Sequence, residues 1–74
     1  MTAVKKLYLV KFDFTTYNNG GRFTARSGEI QIESSIPKNK IDKDFVKYLC
    51  LKEVVRLKPT YKIFMLDITS IELI

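Results

Sequence analysis

From Val4 to Thr15 the chain alternates. Tyr8, Val10, Phe12 and Phe14 stand at every second position, with Leu9, Lys11 and Asp13 between them. A period of two predicts a β-strand with one wholly apolar face and another that turns polar toward its end. Aromatic and β-branched residues fill it, and neither glycine nor proline interrupts it. Asn18-Asn19-Gly20-Gly21 follows, residues that accept positive φ at little cost, and predicts a hairpin turn. A second strand is expected from about Arg22 to Glu33. Its apolar positions change phase, however: Phe23 and Ala25 are odd-numbered, Ile30 and Ile32 even. A regular strand cannot bring both pairs to one face. Gly28 lies between them, so a β-bulge near Ser27-Gly28 is the expected reconciliation.

Ser34 to Asn39 reads as a loop, because Pro37 is excluded from a strand interior and pushes Ile36 out of the helical region. A helix is expected to begin near Asp42. Asp42 would be its N-cap, Asp44 would sit in its first turn, and Ile41 would staple onto Val46. At about 100° per residue, Ile41, Phe45, Tyr48 and Leu49 gather on one side, and Lys40, Lys43 and Lys47 roughly opposite. Leu51 falls near the lysines, which places the end of helical periodicity around Cys50 to Lys52. Val54, Val55 and Leu57 then fit either a short strand or a frayed helix end before Pro59. Lys62 to Ile68 is apolar on both faces, as a central strand would be. Thr69-Ser70 breaks that pattern, and Ile71, Leu73 and Ile74 form an apolar C-terminal end.

The expected fold class is therefore α+β. A single antiparallel sheet of three to four strands (ββαβ or ββαββ) carries one helix packed on one face, within one domain spanning residues 1–74. A sheet covered once leaves its second face to water or to a partner. Leu7, Leu9, Ile63 and Met65 are the candidate apolar interface on that face, unless loops or the C-terminal residues cover them.

Composition narrows what so short a chain can do. A 74-residue domain buries only about 60% of the surface its unfolded chain exposes, and its core yields about 3–5 kcal/mol net. One cysteine, Cys50, allows no intrachain disulfide, and the absence of histidine removes the usual zinc sites. Homodimerisation is the remaining way to add stability. No apolar run reaches membrane-spanning length, and Leu7-Tyr8-Leu9-Val10 is too short for a signal sequence before Lys11. The expected location is cytoplasmic, with no membrane partner.

The same inventory argues against enzymes. Without histidine there is no Ser-His or Cys-His dyad. Cys50, between Leu49 and Leu51 in the expected helix, reads as a buried inert thiol. The carboxylates are scattered without metal-ligand spacing. The expectation is no catalytic residue, no metal and no cofactor. What remains is surface, and the formal charge of +5 biases encounters toward polyanions or acidic proteins. Lys38, Lys40, Lys43 and Lys47 lead into and along the helix; a solvated exterior is their ordinary account. Arg22 and Arg26 flank Phe23, with Tyr17 just before the turn. Cations interleaved with rings would suit single-stranded nucleic acid, phosphates on the cations and bases on the rings. Hairpin packing is the ordinary account of that group.

Taken together, the Lys-rich start, the Leu7-Tyr8-Leu9-Val10-Lys11-Phe12 strand, the Asn-Gly turn, the Gly28-to-Glu33 strand, the helix with Phe45-Val46-Lys47-Tyr48-Leu49 and the Ile63-to-Ile68 strand resemble the short accessory proteins carried by bacteriophages. The resemblance is one of style over nearly the whole chain and transfers no functional residue. It implies a non-enzymatic factor that binds a host protein or complex in the host cytoplasm and modulates or inhibits it. A basic module binding DNA or RNA is the alternative.

Overall fold

The computed structural model describes residues 4–74. Strands β1 (Lys6–Tyr17) and β2 (Phe23–Ser34) are followed by a 3₁₀ turn at Lys38–Lys40, helix α1 (Lys43–Leu57) and strand β3 (Lys62–Leu73). Both pairings are antiparallel and the strand order is β2-β1-β3. Among the described residues the fold is thus α+β with three strands. β1, richest in alternating aromatic and aliphatic residues, takes the centre. This corrects the expectation that the final strand is central: β3 pairs with β1 alone and forms an edge.

The hairpin closes where the Asn-Gly cluster predicts. The Asn18 side-chain oxygen accepts from the backbone N–H groups of Gly20 and Arg22 at 2.9 and 3.0 Å. Gly21 takes φ 78°, the one positive φ among the described residues, which is why a residue without Cβ stands there. From this turn β1 and β2 pair without interruption, Tyr17 with Phe23 through Lys6 with Ser34. The expected bulge at Ser27-Gly28 is absent. Gly28 instead lies opposite Phe12, whose ring occupies the space a Cβ would need. The phase conflict resolves because Phe23 and Ala25 share a face with Tyr17 and Thr15, while Ile30 and Ile32 share one with Val10 and Tyr8. Irregularity falls in β3, where Thr69 and Phe64 are skipped between paired residues. A bulge at each lets the apolar set Ile63, Leu66, Ile68 and Ile71 stay opposite even-numbered β1 residues despite Thr69-Ser70.

Those even-numbered residues make the core. Tyr8, Val10, Phe12 and Phe14 of β1 form one buried cluster with Ile71 of β3 and with Val46, Cys50 and Val54 of α1. The helix starts as expected: Asp42 caps it, its carboxylate accepting from the N–H of Asp44 at 3.0 Å and of Phe45 at 3.5 Å. It ends later than expected. Val54 to Leu57 is helical, since Val46, Cys50 and Val54 recur every fourth residue and the Glu53–Arg56 ion pair braces the last turn. The inward side also differs from the sequence reading. Phe45 and Tyr48 are exposed, Leu49 is half-buried, and the smaller side chains face the core. Among the described residues, no helix is long and apolar enough to cross a membrane.

Candidate functional site at the hairpin end of the sheet

Register assigns the paired strand residues to a face. The face opposite the core carries Leu7, Leu9, Lys11, Asp13, Thr15 and Tyr17 of β1. Beside them lie Glu33, Gln31, Glu29, Ser27, Ala25 and Phe23 of β2, and Glu72, Ser70, Asp67, Met65 and Lys62 of β3. Lys11 and Asp13, with Glu29 and Asp67 as their neighbours, occupy its middle and are exposed. The candidate apolar interface is therefore divided. Leu7 and Leu9 lie at one end, and Met65, opposite Thr15, lies about 20 Å along the strand at the other. Ile63 does not belong to this face at all. It pairs with the buried Thr16 and packs half-buried against the core, because the bulge at Phe64 shifts its phase.

The hairpin end holds a cluster that sequence reasoning found only in part. Tyr17 and Phe23 face each other with ring centroids 6.3 Å apart, and Phe23 meets Phe64 edge-on at 5.0 Å. Phe23 and Phe64 are 57% and 62% exposed. Phe23 thus meets a ring on either side, Tyr17 tilted and Phe64 edge-on, and all three remain open to solvent, with Met65 beside Phe64 in the chain and exposed as well. Phe64 was missed because its place depends on the β1–β3 register and its bulge, neither of which leaves a local sequence signal. An extra residue in an edge strand is a known way to re-aim a side chain.

Arg26 stands on the opposite face from Phe23, which undoes the expected interleaving of Arg22, Phe23 and Arg26. It lies across from Phe14. Its Nε donates to Thr16 Oγ1 at 3.1 Å, and its guanidinium sits 4.4 Å from the centroid of the Tyr61 ring. It borders a cleft of about 360 Å³ formed by Thr16, Tyr17, Asn18, Asn19, Arg22, Thr24, Arg26, Thr60, Tyr61 and Lys62. Three cations and no carboxylate line this cleft. Lys62, which local sequence pattern does not single out, donates from Nζ to Asn19 Oδ1 at 2.6 Å and lies 6.0 Å from the centre of the Tyr17 ring. The cleft and the aromatic cluster thus share the hairpin end on opposite faces of the sheet, with Tyr17 and Lys62 common to both surroundings.

The second basic group does not join them. Lys38 and Lys43 border a separate open cleft with Ile41 and residues 68–71 of β3, beside Val10 and Lys11 and about 23 Å along β1 from Tyr17. Lys40 is exposed in the 3₁₀ turn. Lys47 is half-buried, with Nζ 3.6 Å from Asp67 Oδ1, rather than on a solvated outer face. Burial removes Cys50 from surface chemistry and pushes its thiol up to about 11. Among the described residues no three Cys, Asp or Glu side chains are grouped so as to hold a metal ion.

Comparison of the chain with family models, with curated proteins and with solved structures gave no match.

Proposed function

We propose that this chain is a non-enzymatic binding protein, of the kind phages use to modulate a host complex, and that it engages a protein partner through the hairpin end of its sheet. On this reading α1 covers the core face of the sheet, and the Tyr17–Phe23–Phe64 cluster on the other face is the contact. The observation that carries it is the exposure of three rings, Tyr17 and Phe64 each packed on Phe23, at one end of a face whose middle is charged. Aromatic residues ringed by polar ones are the usual energetic centres of protein interfaces. Arg22 and Lys62 beside them favour a partner with an acidic rim. The test is capture of partners from host lysate on the immobilised protein, after nuclease treatment, comparing the wild type with Phe23→Ala/Phe64→Ala. Retention by the wild type and loss by the variant supports the proposal. Equal retention by both removes the cluster from the interface.

One observation favours a second reading, a nucleic-acid module: the cleft lined by Arg22, Arg26 and Lys62 without any carboxylate. Phosphates would enter the cleft and bases would stack on the rings at its margin. Its affinity for single-stranded probes should fall steeply with salt, and Arg22→Ala or Lys62→Ala should each lower the salt slope by about one. Binding that is independent of salt, or no shift at low salt, ends this reading.

A further inference from the structure

Helix α1 has two apolar sides. Val46, Cys50 and Val54 are buried in the core, yet Phe45 and Tyr48 are 58% and 56% exposed, with Leu51 and Val55 exposed alongside them. At about 100° per residue these four fall within about a third of the helix circumference, on the side away from the core. The Phe45 and Tyr48 rings stack at 6.5 Å and 25°. Phe45, Tyr48, Lys52 and Val55 follow the 3-4-3 spacing of a helix–helix seam, with Leu51 flanking it.

We infer that this stripe is a homodimer interface, in which α1 packs antiparallel against α1 of a second copy about a two-fold axis beside Cys50 and Leu51. The charges choose that occupant. The helix begins with Asp42 and Asp44 and ends with Arg56 and Lys58. Antiparallel packing sets Asp44 against Lys58 of the second copy and Asp42 against Arg56 of the second copy, at both ends at once. A parallel pair would set like charges together. The same axis places Phe45 against Val55 of the second copy and Leu51 against its own symmetry mate. Tyr48 meets Lys52 of the second copy, whose aliphatic stem and ammonium suit an aromatic face. One surface that complements itself in shape and charge is what a closed two-fold dimer requires. The helix dipoles also oppose each other in this arrangement. A 15-residue helix offers a strip only about 22 Å long, at the small end of interface sizes, so the dimer should dissociate in the micromolar range. It leaves the hairpin end of each copy free and does not depend on what that end binds.

Sedimentation equilibrium of the full chain from micromolar to millimolar concentration tests this. The expected mass rises from 8.6 kDa to twice that value. Leu51→Glu, which brings two carboxylates to the axis, should stay monomeric throughout with an unchanged circular dichroism spectrum. Asp44→Lys and Lys58→Asp should each weaken association at least fivefold, and the double variant should regain most of it. A wild type that remains monomeric at millimolar concentration overturns the proposal. So does a dimer that Leu51→Glu leaves intact, or a charge swap that fails to restore association.

Discussion

A methyl group on Gly28 would lie 2.8 Å from Cζ of Phe12. Phe12 is buried in the core, in a ring pair with Phe14 at 5.8 Å, so it has little room to withdraw. Gly28→Ala should therefore destabilise the fold by about 1–3 kcal/mol, despite lying in a strand where alanine is ordinarily preferred to glycine. Urea denaturation measures it. Phe12→Leu should cost stability alone, but the double variant should lose less than the sum of the two, because the smaller side chain vacates the space. Strictly additive losses would show that the two residues do not compete for it.

This pair shows where the sequence misled. Gly28 marks a special position, but a missing Cβ serves a bulge and a closely approaching ring equally well, and only the partner strand decides between them. Phe12 is sixteen residues earlier, and nothing local joins the two. Phe23 and Ala25 are out of phase with Ile30 and Ile32 because they lie on the exposed face of the sheet, where Phe23 joins the aromatic cluster. The helix was misread for a related reason. Ile41-Phe45-Tyr48-Leu49 and Val46-Cys50-Val54 are both apolar stripes at helical spacing, and periodicity alone cannot say which one meets the sheet. The side chains buried with the β1 aromatics are the smaller ones, Val46, Cys50 and Val54. The features carried by local chemistry were legible: the β1 alternation, the Asn18–Gly21 turn and the Asp42 cap. Arg22 and Tyr17 were recognised as candidate site residues, whereas Lys62 and Phe64 enter only through the β1–β3 register.

The cap can be tested without touching the core. Asp42 satisfies two backbone N–H groups at the start of α1. Asp42→Ala should cost about 1 kcal/mol, and Asp42→Asn, which keeps an acceptor oxygen, should recover most of it. Thermal melts followed at 222 nm (a helix signal) compare the two. Equal losses in both variants would assign the effect to charge rather than to capping.

At the hairpin end, binding and stability should separate. The Phe23 and Phe64 rings lie mostly in solvent, so replacing both by alanine should change stability by less than about 1 kcal/mol. If the cluster anchors a partner, the same substitution should cost about 2 kcal/mol or more of binding, roughly thirtyfold in affinity. Titration calorimetry against a captured partner, with a melt of each variant, measures both quantities. A large loss of stability with unchanged affinity would make the rings a local packing device.

Cys50 gives the protein a pH dependence of known sign. Burial favours the neutral thiol and raises it from 9.0 to about 11 in the folded chain. The unfolded chain loses this proton near its ordinary pKa, while the folded chain still holds it. Stability from this group is therefore fully present below about pH 9. It declines as the pH rises from there toward 11, by a total on the order of 2 kcal/mol. Cys50→Ala removes the titrating group and should flatten that part of the stability profile, while lowering stability at neutral pH through the cavity it leaves beside Val46 and Val54. Denaturation of both proteins in urea between pH 7 and pH 10.5 is the comparison. The two proteins differ at Cys50 alone, so the difference between the two curves isolates the thiol. A difference that does not change with pH would mean that the Cys50 thiolate costs the folded state no more than the unfolded one.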